Sequence, residues 1–523
     1  MNRSSLKFGF IAKIKNYCST SIKGDLLGGI TSAFVALPTA MAFGLSSGLG
    51  VSAGLYGSIF AGFFAALLGG AVLQITGPTG PGAVIIASLV PNLSVSDVFT
   101  VVVLSGCIQI LFGLSRLGKF IEYIPYPVIS GFMTGVAALI VKEQLPSLMT
   151  DSRLFVVVFF IIVLCFLSAK YVPQIPAAMV PVILGITVSL IFKHNLPMIG
   201  GFAVGIPTLQ FSIYSLFERI PQLLVPAFSL ALLCSIDSLL TASILDSLQQ
   251  GVSPHDSNRE LIGQGMGNIM SGMFGGLSAA GATIRSIANV KAGARTRISG
   301  MIHSFVLLLL VLFAGGIGNY IPKVVLSGVI LYIAITIVDY NNLKRIPATP
   351  IADVIVMLVT IVLTVITGLL QAIVVAFFLS SILFMIKMTQ LEVQRVSLEG
   401  HFPVKERQKI LPFSKKIVLF EIKGALFFGS SPQLVKELSQ FTESKVVILK
   451  MYAVLVIDQT GLKVLEMLSV EANSSGVILL VSGVSEQIKK SLDRASITTL
   501  IGEDHFFPHP MEAIKRALEI VQG

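Results

Sequence analysis

Residues 63–83 read "FFAALLGGAVLQITGPTGPGA". A small-residue apolar run ends in Gly69–Gly70, and the stretch 76–82, "TGPTGPG", cannot continue as a helix. Pro78 and Pro81 each remove a backbone donor, while Gly77, Gly80 and Gly82 add conformational freedom. Pro81 fits the first turn of a new helix, where a missing N–H costs little. The expected shape is an extended stretch that enters a half-helix near Thr79. A second stretch, "NIMSGMFGGLSAAGATIRS" (268–286), follows the same plan and predicts a helix starting near Thr283. Gly-rich pairs also occur wherever membrane helices pack closely. Paired, interrupted segments in two halves of a chain nevertheless point to a transport site at the bilayer midplane.

The surrounding composition makes a membrane the right frame. The chain is 54% hydrophobic and 12% charged, with mean hydropathy +0.87, whereas a soluble domain carries about 25% charge. Runs such as "FVVVFFIIVLCFLS" (155–168) and "FVLLLLVLFAGGIGNYI" (305–321) approach the roughly 20 residues that span a bilayer. The net charge of +10 does not indicate nucleic acid. Lys and Arg gather in short gaps: Lys23 before the first span, Arg116 and Lys119 after the fourth, Lys170 after the sixth, Arg295 and Arg297 after the tenth, and Lys344 and Arg345 after the twelfth. The pattern allows 12 to 14 segments. With fourteen, all these groups fall on one side, which predicts cytoplasmic N- and C-termini in the cell (inner) membrane. Seven segments per half would give the two copies opposite topology. The four cysteines are scattered and form no metal or disulfide pattern.

Charge density rises sharply near Lys387. The expected organisation is a cytoplasmic leader (1–24), an all-α polytopic transport domain (25–388), a linker (389–410) and a small α/β domain (411–523). In the last, "KIVLFEI", "KVVILKMY" and "GVILLVSG" read as strands. "SPQLVKELSQF", "TGLKVLEMLSVEAN" and "SEQIKKSLDRA" read as helices, so a mixed or parallel sheet faced by helices is expected.

Two half-helix starts meeting at the midplane would aim free N–H groups and positive dipole ends into one cavity, which is an anion site. Gly80, Gly281 and Ala282 allow close approach, Thr79 and Thr283 add hydroxyls, Arg285 is a candidate positive contact for the anion, and Phe43, below the kink at Pro38, is a candidate wall. In "CSIDSLLT" (234–241), Asp237 and Thr241 share one helix face. A carboxylate at this depth costs at least about 2.5–3.5 kcal/mol on insertion scales, so Asp237 needs a companion. A proton, a cation such as Na⁺, and Arg285 are the candidates. A hard cation would take the Asp237 carboxylate, the Thr241 hydroxyl and carbonyls of the 279–282 stretch. Cation and anion would then each favour the other's binding. Asp246, Arg259 and Glu260 read as solvated groups near a helix end, Lys142 and Glu143 as interfacial, and His303 as packed or interfacial. No Ser/His, HExxH or Walker A pattern suggests an enzyme or a primary pump.

"GDLLGGITSAFVALPTAMAFGLSSG" (24–48), "PYPVISGFMTG" (125–135), "IDSLLT", "RELIGQGMGNIMSGMFGG" and "GATIRSIANVKAGARTRISGMIHS" resemble the SulP family of anion transporters, and "VIDQTGLKVLEML" is similar to its C-terminal STAS domain. The resemblance implies a seven-plus-seven inverted repeat of fourteen segments with core and gate subdomains, often dimeric, and a site between the third and tenth segments. It is strongest toward Na⁺-dependent bicarbonate transporters of the cyanobacterial BicA type. That likeness implies Na⁺ held by Asp237, Thr241 and the backbone near Gly281, and bicarbonate surrounded by Thr79, Ala282 and Thr283. It further implies inward transport by alternating access with no organic cofactor. "TGPTGP" departs from that type, which tends to carry an acidic residue where Gly77 stands. Sulfate or another oxyanion is the alternative substrate, and an uncoupled anion channel the alternative of another class. A regulatory partner of the STAS domain is implied by likeness too, with Thr460 at a position phosphorylated in related regulatory domains; helix-cap duty is the plainer role for it.

Overall fold

The computed structural model describes residues 22–121, 125–149, 152–172, 176–192, 197–200, 209–210, 213–248, 254–367, 369–388, 392–398, 411–413, 416–427 and 444–522. Most of the expected leader, the helix expected over 431–441 and the expected linker beyond 398 lie outside the described residues. Contacts divide the chain into two units, Met1–Phe377 and Phe378–Gly523.

Setting aside the short turns Gly118–Ile121 and Tyr340–Arg345, the apolar region contains fourteen described helices. The first half comprises α1 (Ile22–Ser46), α2 (Val51–Leu68), α3 (Gly80–Leu89), α4 (Val95–Leu114), α5 (Tyr126–Met149), α6 (Ser152–Tyr171) and α7 (Met179–Phe192). The second comprises α8 (Ile213–Leu248), α9 (Ser257–Met273), α10 (Thr283–Lys291), α11 (Ile298–Ala314), α12 (Lys323–Ile337), α13 (Ile351–Ile366) and α14 (Leu369–Met388). Seven described helices are long and apolar enough to cross a membrane alone. α3, with 10 residues, and α10, with 9, are not among them. At 1.5 Å per residue each covers about 15 Å, half of a hydrocarbon core. They are the third and tenth helices, and each follows a two-residue strand: β1 (Thr76–Gly77) before α3 and β2 (Ala280–Gly281) before α10.

α2 carries a π turn over Gly57–Ala61, a local widening that frees a carbonyl and often marks a functional position. Its Ser58 recurs below. The core of this unit is built from small and branched residues, among them Ala33, Ala36 and Ala40 of α1 and Val98, Val101 and Val102 of α4. Large apolar residues such as Phe159, Phe160, Phe313 and Phe378 lie exposed, which suits a surface facing lipid.

The second unit is a five-stranded sheet in the order β3 (Glu392–Val396), β4 (Ile417–Leu426), β5 (Val446–Ile457), β6 (Ile478–Ser482), β7 (Phe506–Phe507). β4 to β7 run parallel, and β3 pairs antiparallel on β4 with Glu392 opposite Lys423. β3 falls in the stretch expected as linker; its "EVQRV" carries too few apolar residues to stand out as a strand until β4 supplies an edge. Along β4, Val418, Phe420 and Ile422 enter one apolar cluster with α15 (Gln459–Ser474) and α16 (Glu486–Arg494). Ile417 and Leu419 enter another with α17 (Pro510–Gln522). The strand alternation thus divides one apolar run between two helical layers. Asp458 caps α15 by accepting the Gly461 N–H at 2.8 Å, while Thr460 stands exposed in the first turn.

Candidate functional site

The two interrupted stretches meet. β1 and β2 pair antiparallel, Thr76 opposite Gly281 and Gly77 opposite Ala280. Beside them the Ala282 N–H donates to the Ile75 carbonyl at 2.8 Å, and the Ile75 N–H to Ser286 Oγ at 2.9 Å. Unwound backbone at membrane depth survives only if its polar groups are satisfied, and here each broken segment satisfies the other. Thr79 (φ −120°, ψ 160°) and Ala282 (φ −97°, ψ 101°) are the extended residues that precede the two helices, and no side chain caps either start. The first-turn N–H groups of α3 and α10 therefore remain available to a ligand.

α8 lies across both starts. Thr241 Oγ1 donates to the Gly281 carbonyl at 2.9 Å, so the hydroxyl of Thr283, 2.7 Å away, donates to Thr241. The Gly281 N–H donates to Ser238 Oγ at 3.0 Å. One turn back on α8, the Asp237 carboxylate lies beside the Thr79 side chain. Asp237 thus meets the α3 start and Thr241 the α10 start, as their four-residue spacing on one face requires. Thr241 and Gly281 are buried, while Thr79, Asp237, Ala282 and Thr283 keep partial accessible surface. The accessible side of the junction carries carboxylate, hydroxyl and helix N–H groups together.

Arg285, 3% exposed, points elsewhere. Its Nη2 donates to Thr39 Oγ1 at 2.8 Å and to the Pro78 carbonyl at 3.2 Å, and its Nη1 to Ser58 Oγ of the π turn at 3.3 Å. Among the described residues no ion pair joins it to Asp237. Of the three companions considered for Asp237, the arginine is therefore not the one adopted, because its side chain runs behind β1. A Cβ on Gly77 would lie 2.1 Å from Nη1; the glycine leaves the notch the guanidinium fills. Phe43 is buried, its ring 3.6 Å from where a Cβ on Gly80 would stand, beside Ile140 of α5 and Ile337 of α12.

Glu260 corrects the solvated reading. It is 1% exposed and accepts from the Gly70 N–H at 2.8 Å, the Ala71 N–H at 2.7 Å, Gln74 Nε2 at 2.8 Å and Gln264 Nε2 at 2.7 Å. Its place near a helix start suggested solvent, but three of the four donors, Gly70, Ala71 and Gln74, come from residues that only the fold brings near. His303 is fully buried, with Nδ1 3.1 Å from Ser32 Oγ. Ser238 was not singled out at all, although its position between Asp237 and Thr241 offered a signal.

Comparison with known proteins places this geometry in context. The Sulfate permease family model matches residues 22–155 and 152–360, and the STAS domain model residues 408–513. The chain is 33% identical to the bicarbonate transporter BicA of Synechocystis sp., over 95% of this chain and 94% of that one. It is 28% identical to the putative sulfate transporter YvdB of Bacillus subtilis, over 96% and 98% respectively. Among solved structures, the transmembrane domain of a cyanobacterial BicA superposes with a TM-score of 0.60 at 35% identity, covering 69% of this chain and 97% of that one. SLC26A9 gives 0.81 at 18% identity over 100% and 95%, a likeness of fold. The chain belongs to the sulfate permease family: it is a polytopic membrane anion transporter that ends in a STAS domain.

Proposed function

We propose that this transporter carries bicarbonate inward together with Na⁺, by alternating access around the junction of α3, α8 and α10. The observation that carries the proposal is the meeting of two uncapped half-helix starts with one face of α8, where Thr241 and Ser238 bond the Gly281 backbone and Asp237 stands without an arginine partner among the described residues. The bicarbonate would rest on the first-turn N–H groups and on the hydroxyls of Thr79 and Thr283, with Gly80 and Ala282 allowing close approach and Phe43 walling one side. Arg285, held behind β1 by Thr39, Ser58 and the Pro78 carbonyl, contributes positive potential rather than a direct contact. Na⁺ would take the Asp237 carboxylate, the Thr241 hydroxyl and the Gly281 carbonyl, three oxygens of the kind a hard cation selects. The bicarbonate transporters among its relatives support the anion, and the donor set supports the cation.

Sulfate is the second reading. Arg285 adds a positive charge that no described carboxylate pairs, and such a site tolerates a doubly charged guest better than a neutral one would; several relatives are described as sulfate transporters. The basic gaps support cytoplasmic termini in a cell-membrane protein, and family likeness supports a homodimer, with the STAS domain as the surface for a regulatory partner. Uptake of radiolabelled bicarbonate and of sulfate into proteoliposomes, each with and without an inward Na⁺ gradient, is the test. Saturable, Na⁺-driven bicarbonate uptake supports the proposal. Sulfate uptake alone would reassign the substrate, and linear, gradient-independent flux would make the protein a channel.

A further inference from the structure

α9 carries four buried polar side chains in a single stripe: Glu260, Gln264, Asn268 and Ser271, spaced by 4, 4 and 3 residues. That spacing keeps them on one helix face, and each is at most 1% exposed. The stripe touches both unwound stretches. At its start, Glu260 holds Gly70, Ala71 and Gln74, and the amide of Gln74 packs where a Cβ on Gly281 would stand, its Nε2 within 2.4 Å. One turn on, Gln264 Nε2 donates both to Glu260 and to Thr76 Oγ1, the latter at 2.7 Å. Another turn on, Asn268 brackets Ala279: Oδ1 accepts its N–H at 2.7 Å and Nδ2 donates to its carbonyl at 3.0 Å. Nδ2 also donates to Gln109 of α4 at 2.7 Å. Last, Ser271 donates to the Leu277 carbonyl at 2.6 Å.

From this geometry we infer that α9 is the positioning spine of the ion site: Gln264 sets β1 and Asn268 sets β2, and together they fix how far apart the two half-helix starts stand. None of the four touches the proposed ions. They act through Thr76 and Ala279, on either side of the strand pair from which Thr79 and Thr283 emerge. Gly106 of α4 and Gly263, Gly265 and Gly267 of α9 let neighbouring backbone come close to the spine, so it is anchored rather than free to adjust. The inference rests on the anion site proposed above but not on the identity of the cation.

Gln264→Met keeps the volume and removes the ties to Thr76 and Glu260; Asn268→Leu removes both ties to Ala279 and the one to Gln109. In proteoliposomes each is expected to raise the half-saturating anion concentration at least about tenfold, since one buried hydrogen bond is worth about that factor and each variant removes more than one, with the maximal rate per folded transporter within about twofold. Asp25→Asn is the comparison. Asp25 is a buried carboxylate that accepts from the Arg295 and Thr296 N–H groups, at the far end of α10 from the strand pair. It should lower the thermal midpoint and leave half-saturation unchanged. Should either α9 variant fail to accumulate, Thr76→Val deletes only the hydroxyl that Gln264 grips and is expected to give the same tenfold shift. Wild-type half-saturation in the accumulating variants, or a loss confined to maximal rate, overturns the inference. Absence of saturable anion uptake in the wild type would instead sink the site reading itself.

Discussion

Asp237→Asn separates the charge of this side chain from its shape. The amide keeps an oxygen for the Thr79 hydroxyl and fits the same space, so the junction of α3, α8 and α10 should persist. What disappears is one negative charge beside the cation. At about 4 Å and an effective dielectric of about 20, that attraction amounts to ~4 kcal/mol. At ~1.4 kcal/mol per decade, half-saturating Na⁺ should rise by between a hundredfold and a thousandfold, beyond any usable concentration. Reciprocity then lowers bicarbonate affinity by the coupling factor, typically about 5- to 150-fold. The assay is labelled bicarbonate uptake at fixed pH over a range of Na⁺, with and without a gradient. The variant should take up bicarbonate slowly and without response to Na⁺. Wild-type Na⁺ dependence in the variant would refute the assignment, since the cation would then bind elsewhere. Wild-type uptake driven by a pH gradient, with Na⁺ indifferent, would show a proton to be the companion instead.

Ala282→Val places two methyl groups on the half-exposed residue ahead of α10; uptake should fall at least about tenfold with the thermal midpoint nearly unchanged, and normal affinity in the variant would move the anion away from this helix start. Gly77→Ala sets a methyl 2.1 Å from Arg285 Nη1 and 2.9 Å from Ser58 Oγ, an overpacking that costs about 1–3 kcal/mol. A lower thermal midpoint with impaired uptake is expected, and a fully stable variant would mean the guanidinium moves freely. In the STAS unit, Lys450 Nζ lies 2.6 Å from Glu421 Oε1, and this hydrogen bond, with help from Lys423, holds the Glu421 carboxyl below its ordinary pKa. Because the folded value is the lower one, the stabilisation is present above the unfolded carboxyl pKa of about 4.3 and is lost as pH falls through the folded value. A Glu421→Gln variant should therefore be less stable than wild type at neutral pH, in thermal melts of the STAS transition, and equal to it in strong acid.

The broken helices were legible because their cause is local. Pro78, Pro81 and the glycines between them forbid a helix whatever surrounds them, and the observed starts at Gly80 and Thr283 fall where the sequence places them. One helical layer of the STAS unit, α15 and α16, was legible for a similar reason, since helical spacing is carried within each segment; α17, the other layer, was not among the expected helices. β3 was not, because an edge strand with two valines acquires its identity only from a neighbour.

Partners in space were the harder matter, and Arg285 and Glu260 show why. Both are buried charges, and sequence spacing says which helix face each occupies but not what lies opposite. Arg285 stood close enough in expectation to neutralise Asp237. In the fold it crosses behind β1 to Thr39, Ser58 and the Pro78 carbonyl, so among the described residues it does not pair with the aspartate. Glu260 sat near a helix start and suggested water; in the fold its four donors come from the end of α2, the unwound approach to β1 and the next turn of α9. The two cases share one physical logic. Acid and base are each solvated by neutral dipoles rather than by each other, so neither quenches the field at the junction. A direct Asp237–Arg285 pair would have given a stable, inert crossing. Holding the guanidinium on the hydroxyls of Thr39 and Ser58 and the Pro78 carbonyl keeps it off the aspartate, and the proposed pairing of a cation with an anion at the junction rests on that separation.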